Sequence, residues 1–118
     1  IVLKTTAFAI PAIEKARRSL GEDWHEFLTV PSLSMGLYHI PAGTNDRDSH
    51  SPHHRDEIYV GVRGHGHLTA DGTEHRIEAG SVVYVKAGVE HHFHDVVEDL
   101  SVLVFFAGNT KENMEKRE

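Results

Sequence analysis

Apolar positions along the chain change period once. Over residues 11–20, Ile13, Ala16 and Leu20 fall on one face at helical spacing. Pro11 suits a first helical turn and Gly21 a position just past a helix end, so the pattern predicts one short helix here. Beyond it the apolar residues recur with the shorter period of strands. Residues 24–30 and 34–40 are strand candidates, each closed by a proline (Pro31, Pro41). Residues 57–63, 65–70, 73–78, 81–86, 91–96 and 101–106 then form a regular series, with Gly64, Asp71-Gly72, Gly80 and Gly88 as turn residues. Asp71-Gly72 is a two-residue type I′ hairpin signal. Short strands at even spacing predict an all-β sandwich or barrel. The chain of 118 residues is expected to be a single domain over 1–118, with a barrel core at about 24–106. Residues 109–118 read as a charged tail or a short helix capped by Asn109.

Alternation also sorts side chains by face. A two-residue turn pairs Ala70 with Thr73, Thr69 with Glu74, His67 with Arg76 and His65 with Glu78. One face of that hairpin then carries only polar side chains, so His65 and His67 are expected at solvent rather than on a metal. His75 shares the opposite face with Leu68 and Ile77 and is expected to be half-buried. Glu57 and Tyr59 share one strand face, as do His91 and Phe93. If both faces line a barrel interior, Glu57 and His91 meet there. A carboxylate buried alone costs several kcal/mol, and a metal ion with histidine ligands removes that cost. A metal-free hydrogen-bonded Glu–His pair is the plainer alternative.

Composition sharpens this picture. Eleven histidines in 118 residues are several times an ordinary share, and there are no cysteines. Disulfides and thiolate sites are excluded, and imidazole with carboxylate suits Fe, Mn, Ni or Zn. A net charge of −6 opposes binding to nucleic acid or to an anionic membrane. No apolar run approaches 18 residues, so no helix is expected to span a bilayer. The absence of cysteine fits a cytoplasmic protein, although the start at Ile1 leaves a removed targeting segment open.

Two histidine groups lie outside the hairpin: His50, His53 and His54, then His91, His92 and His94. His53-x3-Glu57-x6-Gly64 resembles the second half of the first cupin motif. Gly80-x5-Lys86-x-Gly88-x2-His91-x3-Asp95 keeps every spacing of the second, with Lys86 in place of proline and Asp95 in place of asparagine. The resemblance covers about residues 33–106. It implies a double-stranded β-helix (a jelly-roll-like barrel) with the one N-terminal helix added. It also implies one divalent metal held by His53, Glu57 and His91. The first motif histidine would fall at Ser51; His50 is the expected fourth ligand, with His54 or water as alternatives. Tyr59 and Phe93 are expected beside the metal, and Tyr38 as a further polar group. Tyr59 and His54 are the candidate catalytic acid–base groups. The implied activity is an enzyme on a small chelating organic molecule, of dioxygenase, isomerase or lyase type; a non-catalytic binding or sensing module is the alternative. Such barrels are usually homodimers, in which an N-terminal strand, here residues 2–8, pairs with the partner.

Overall fold

The computed structural model describes residues 4–45 and 54–108. Helix α1 spans Ile10–Leu20, with Pro11 in its first turn and Gly21 as a left-handed C-cap whose N–H donates to Arg18 O. Its buried face is not the apolar stripe expected from the sequence. Ile13 is buried, but Leu20 is exposed, and Glu14 and Arg17 take the remaining inward positions. The physical reason is an ion pair. Glu14 Oε2 lies 2.8 Å from Arg63 Nη2, and Arg17 Nη1 donates to Glu22 O at 2.9 Å. These polar contacts set the helix rotation against the sheet.

Six strands follow: β1 Trp24–Val30, β2 Leu33–Ile40, β3 Glu57–Ala70, β4 Thr73–Glu78, β5 Val82–Val85 and β6 His91–Ala107. All pair antiparallel in the order β1-β2-β6-β3-β4, with β5 beside β3. The hairpin register is the expected one, from Ala70 opposite Thr73 to His65 opposite Glu78.

Two pairs of expected strands are each one long strand. β3 runs through Gly64 without turning, and β6 runs through 97–100. Their mutual pairing shifts register between Gly61 and His67, so Gly64 sits in an irregularity rather than a turn. Gly64 has φ +89°, and a Cβ there would collide with the Asp99 carbonyl. Only glycine satisfies both demands.

The first half of β3 pairs with β5 and the second half with β4, while β6 follows its other edge throughout. The inward faces of the two long strands supply most of the core, including Leu68, Phe93, Leu100, Val102 and Val104, each at most 2% exposed. Glu57 and His91 begin these two strands.

Candidate metal centre and barrel mouth

Strand alternation places Glu57 and Tyr59 inward, while Ile58 between them is 40% exposed. His91 and Phe93 point inward likewise. The Glu57 and His91 side chains are each 1% exposed, with Glu57 Oε2 3.4 Å from His91 Nε2. Tyr59 joins them: its hydroxyl donates to Glu57 Oε2 at 2.9 Å and stands 3.1 Å from His91 Nε2.

The histidine tautomer follows from its other nitrogen. His91 Nδ1 lies 3.0 Å from the Val89 carbonyl, which can only accept, so Nδ1 carries the proton. The Nε2 lone pair is therefore turned toward Glu57 and Tyr59. A backbone carbonyl fixing one imidazole nitrogen is the usual way a ligating histidine is oriented.

Burial pushes the Glu57 carboxyl up to about 7, against smaller lowering effects of the Tyr59 hydrogen bond and the Arg55 charge. Burial first, and then the Glu57 charge, push the Tyr59 phenol far above its ordinary value. In the metal-free protein Tyr59 thus keeps its proton and serves as a hydrogen-bond donor rather than as a base.

These residues fit a divalent cation. Two ligand-type atoms 3.4 Å apart match adjacent positions around an ion with bonds of about 2.0–2.2 Å. A bound cation would offset the cost that burial imposes on the carboxylate. His50 and His53, the other expected ligands, lie outside the described residues. His54 is described and is exposed.

Beside this cluster opens a cavity of about 370 Å³. Trp24, Tyr38, Tyr59 and Phe106 give it aromatic walls, and Glu26 and Arg55 give it charge. Tyr38 stands where expected. Phe93 packs edge-on against Tyr59 at 5.3 Å, behind the cavity wall and within the core. Arg55 was not singled out from the sequence, although it sits between His54 and Glu57 in the first motif. Its guanidinium covers the Phe106 ring at 4.7 Å and donates to Ser34 Oγ and Gly108 O. Trp24 was missed too. Its ring fits against β2 because residue 36 is glycine; a Cβ there would occupy the indole.

The second motif's last position also acquires a meaning. Asp95 has φ +48°, a left-handed conformation that Asn and Asp tolerate better than most residues. Aspartate in place of asparagine preserves that backbone.

The cupin domain model matches residues 36–106. The chain belongs to the cupin family. An uncharacterized protein of Streptomyces coelicolor is 42% identical over 101 residues, covering 86% of this chain and 94% of the relative. Among solved structures, the cupin domain of Cnp3 from Schizosaccharomyces pombe aligns with a TM-score of 0.67 at 20% identity, over 79% of this chain and 69% of that one. The DMSP lyase DddQ from Ruegeria pomeroyi aligns with a TM-score of 0.67 at 20% identity, over 90% of this chain and 67% of that one. Identities this low establish the shared barrel and leave chemistry to the residues of this cupin. No helix of the described residues is long and apolar enough to cross a membrane.

Proposed function

We propose that this cupin holds one divalent metal ion through His53, Glu57 and His91, with His50 as fourth ligand. We further propose that it is an enzyme acting on a small chelating organic molecule in the barrel mouth. The observation that supports this most is the buried Glu57–His91 pair at 3.4 Å, with the His91 lone pair directed inward by Val89. Fe, Mn, Ni and Zn all suit such ligands. A bound ion supplies positive charge that stabilises negative charge developing on a substrate oxygen.

The chain's own residues account for the rest. The aromatic walls exclude water and bind the flat part of a small molecule. Arg55, at the cavity wall and half-buried, favours an anionic group. Tyr59, protonated beside Glu57, offers its hydroxyl as a hydrogen-bond donor at the cavity wall; proton transfer from it would need its acidity raised by a bound cation. Oxygenation, isomerisation and elimination are all compatible with this set, and the DMSP lyase among the structural neighbours is consistent with the last.

The test is a screen of protein loaded with Fe, Mn, Ni or Zn against diketones, enediols and uronic acids, with oxygen uptake followed in parallel. Turnover that Glu57→Gln lowers more than it lowers substrate affinity supports the enzyme. Tight binding without turnover under every metal supports instead a binding or sensing module.

A further inference from the structure

We propose that the outer face of the barrel, where β4, β3 and β6 run side by side, carries a second cation site. It is built on His94 and Glu74, with Asp95 beside them, takes a borderline divalent ion such as Zn2+, and is separate from the interior centre. The registers place three rows across these strands: Glu74, Thr69 and His92; Arg76, His67 and His94; Glu78, His65 and Glu98. Four of these nine positions are histidines. His65 and His67 were expected at solvent, yet they and His92 are half-buried, and His94 is only 7% exposed.

The ring of His94 is oriented for metal binding. Its Nδ1 lies 2.7 Å from Asp95 Oδ2, and a carboxylate oxygen accepts, so Nδ1 carries the proton. Nε2 is then the lone-pair nitrogen. It accepts from the Thr69 hydroxyl at 2.8 Å and faces Glu74 Oε1 at 3.6 Å. A carboxylate behind a histidine is the arrangement that orients imidazole toward zinc, and an entering ion would displace the Thr69 hydroxyl from Nε2. The 3.6 Å separation is close to the roughly 3.4 Å between neighbouring ligands on a tetrahedral ion with bonds of about 2.0–2.1 Å. Donor atoms of Glu74, His94 and Asp95 all lie within 4.8 Å of one another.

The neighbouring rings pack around His94: that of His92 is 5.2 Å away and tilted by 42°. The His67 ring is nearly parallel to that of His94, at 24° and 5.7 Å, and its Nδ1 is 3.2 Å from the Asp95 carbonyl. Parallel planes send their lone pairs alongside one another rather than to a point. His67 is thus a packing neighbour. Glu74, 60% exposed at its side chain, and Asp95, 65% exposed, leave the site open to entering cations.

Calorimetric titration of tag-free protein with ZnCl2 tests this. The wild type is expected to bind two ions, and His91→Ala, which removes the interior centre, to retain one. Within that background, Glu74→Gln and Asp95→Asn are each expected to weaken the retained ion about tenfold or more. His94→Ala is expected to abolish it. Because Glu74 is exposed, its variant keeps the test decisive even if the His94 variant misfolds. The proposal is overturned if His91→Ala protein binds no zinc, or if Glu74→Gln in that background leaves the remaining affinity unchanged. Neither result bears on the interior metal, whose loss is read from His91→Ala alone.

Discussion

Glu57 is held between two demands. Its burial disfavours a bare carboxylate, while the Tyr59 hydroxyl and the Arg55 charge favour one. In metal-free protein the raised value of about 7 makes the folded chain bind a proton that the unfolded chain, with an ordinary carboxyl near 4.5, has released. Stability contributed by the protonated form is present below about pH 4.5 and is lost as pH rises toward 7. The loss is on the order of 3 kcal/mol at most. Urea unfolding in EDTA at pH 5 and pH 7.5 measures it against Glu57→Gln, which shares every other titrating group. The wild type is expected to lose more stability than the variant over that span; equal losses would mean that Glu57 ionises normally. Bound metal should reverse the trend, since protons compete with the ion for its ligands.

At the same scale, the part of the site that alternation reaches was legible. Glu57, Tyr59 and His91 could be assigned to one interior because a strand's period fixes its faces. Arg55 could not, because it precedes β3 and has no strand period to place it; Trp24 opens β1, whose burial does not alternate cleanly. The outer histidines show the opposite error. His65, His67 and His94 do share a polar face, but a polar face packed with imidazoles is partly closed by the rings themselves.

Among the elements, β1, the hairpin and β4 were readable almost to the residue because a two-residue turn fixes register. The continuity of β3 and β6 was not. A glycine in a bulge and a glycine in a turn carry the same local signature, and only the approach of the Asp99 carbonyl separates them. Gly64→Ala therefore adds a backbone collision to an unfavourable φ, and about 2–4 kcal/mol of destabilisation is expected. Gly80→Ala has a similar φ with open space around the added methyl, so about 1 kcal/mol is expected. Chemical denaturation of the two variants checks the difference; similar costs would make Gly64 an ordinary turn residue. Gly36→Ala acts differently, by displacing Trp24 from the cavity wall. Loss of ligand binding with retained metal is the outcome expected, and unchanged binding would remove Trp24 from the site.

For the whole molecule, the proposed metal would couple function to stability. An ion that binds only the folded barrel stabilises it by about 2.7 kcal/mol at a free concentration one hundred times its Kd. The melting temperature is expected to fall by several degrees in chelator and to recover on adding Mn2+ or Zn2+. A melting temperature indifferent to both would favour the metal-free Glu–His pair. The association state is a further proposal. β1 and β4 end the strand order, and Val82 and Tyr84 on β5 are exposed apolar side chains, so edges remain for a second copy to cover. Sedimentation at tens of micromolar is expected to show a dimer, and a monomer there would contradict that assembly. Residues 4–9 form no strand within the chain, and Phe8 packs on Phe27 of β1, so deletion of residues 1–9 tests whether this segment supports the dimer.

The most direct measurement is anomalous diffraction from crystals grown with Mn2+ or Zn2+, collected at the absorption edge of the metal. The account predicts a peak inside the barrel, bonded at about 2.0–2.2 Å to His91 Nε2, a Glu57 oxygen and His53. Density at the outer His94 face alone, with Tyr59 still bridging Glu57 and His91 inside the barrel, would contradict it.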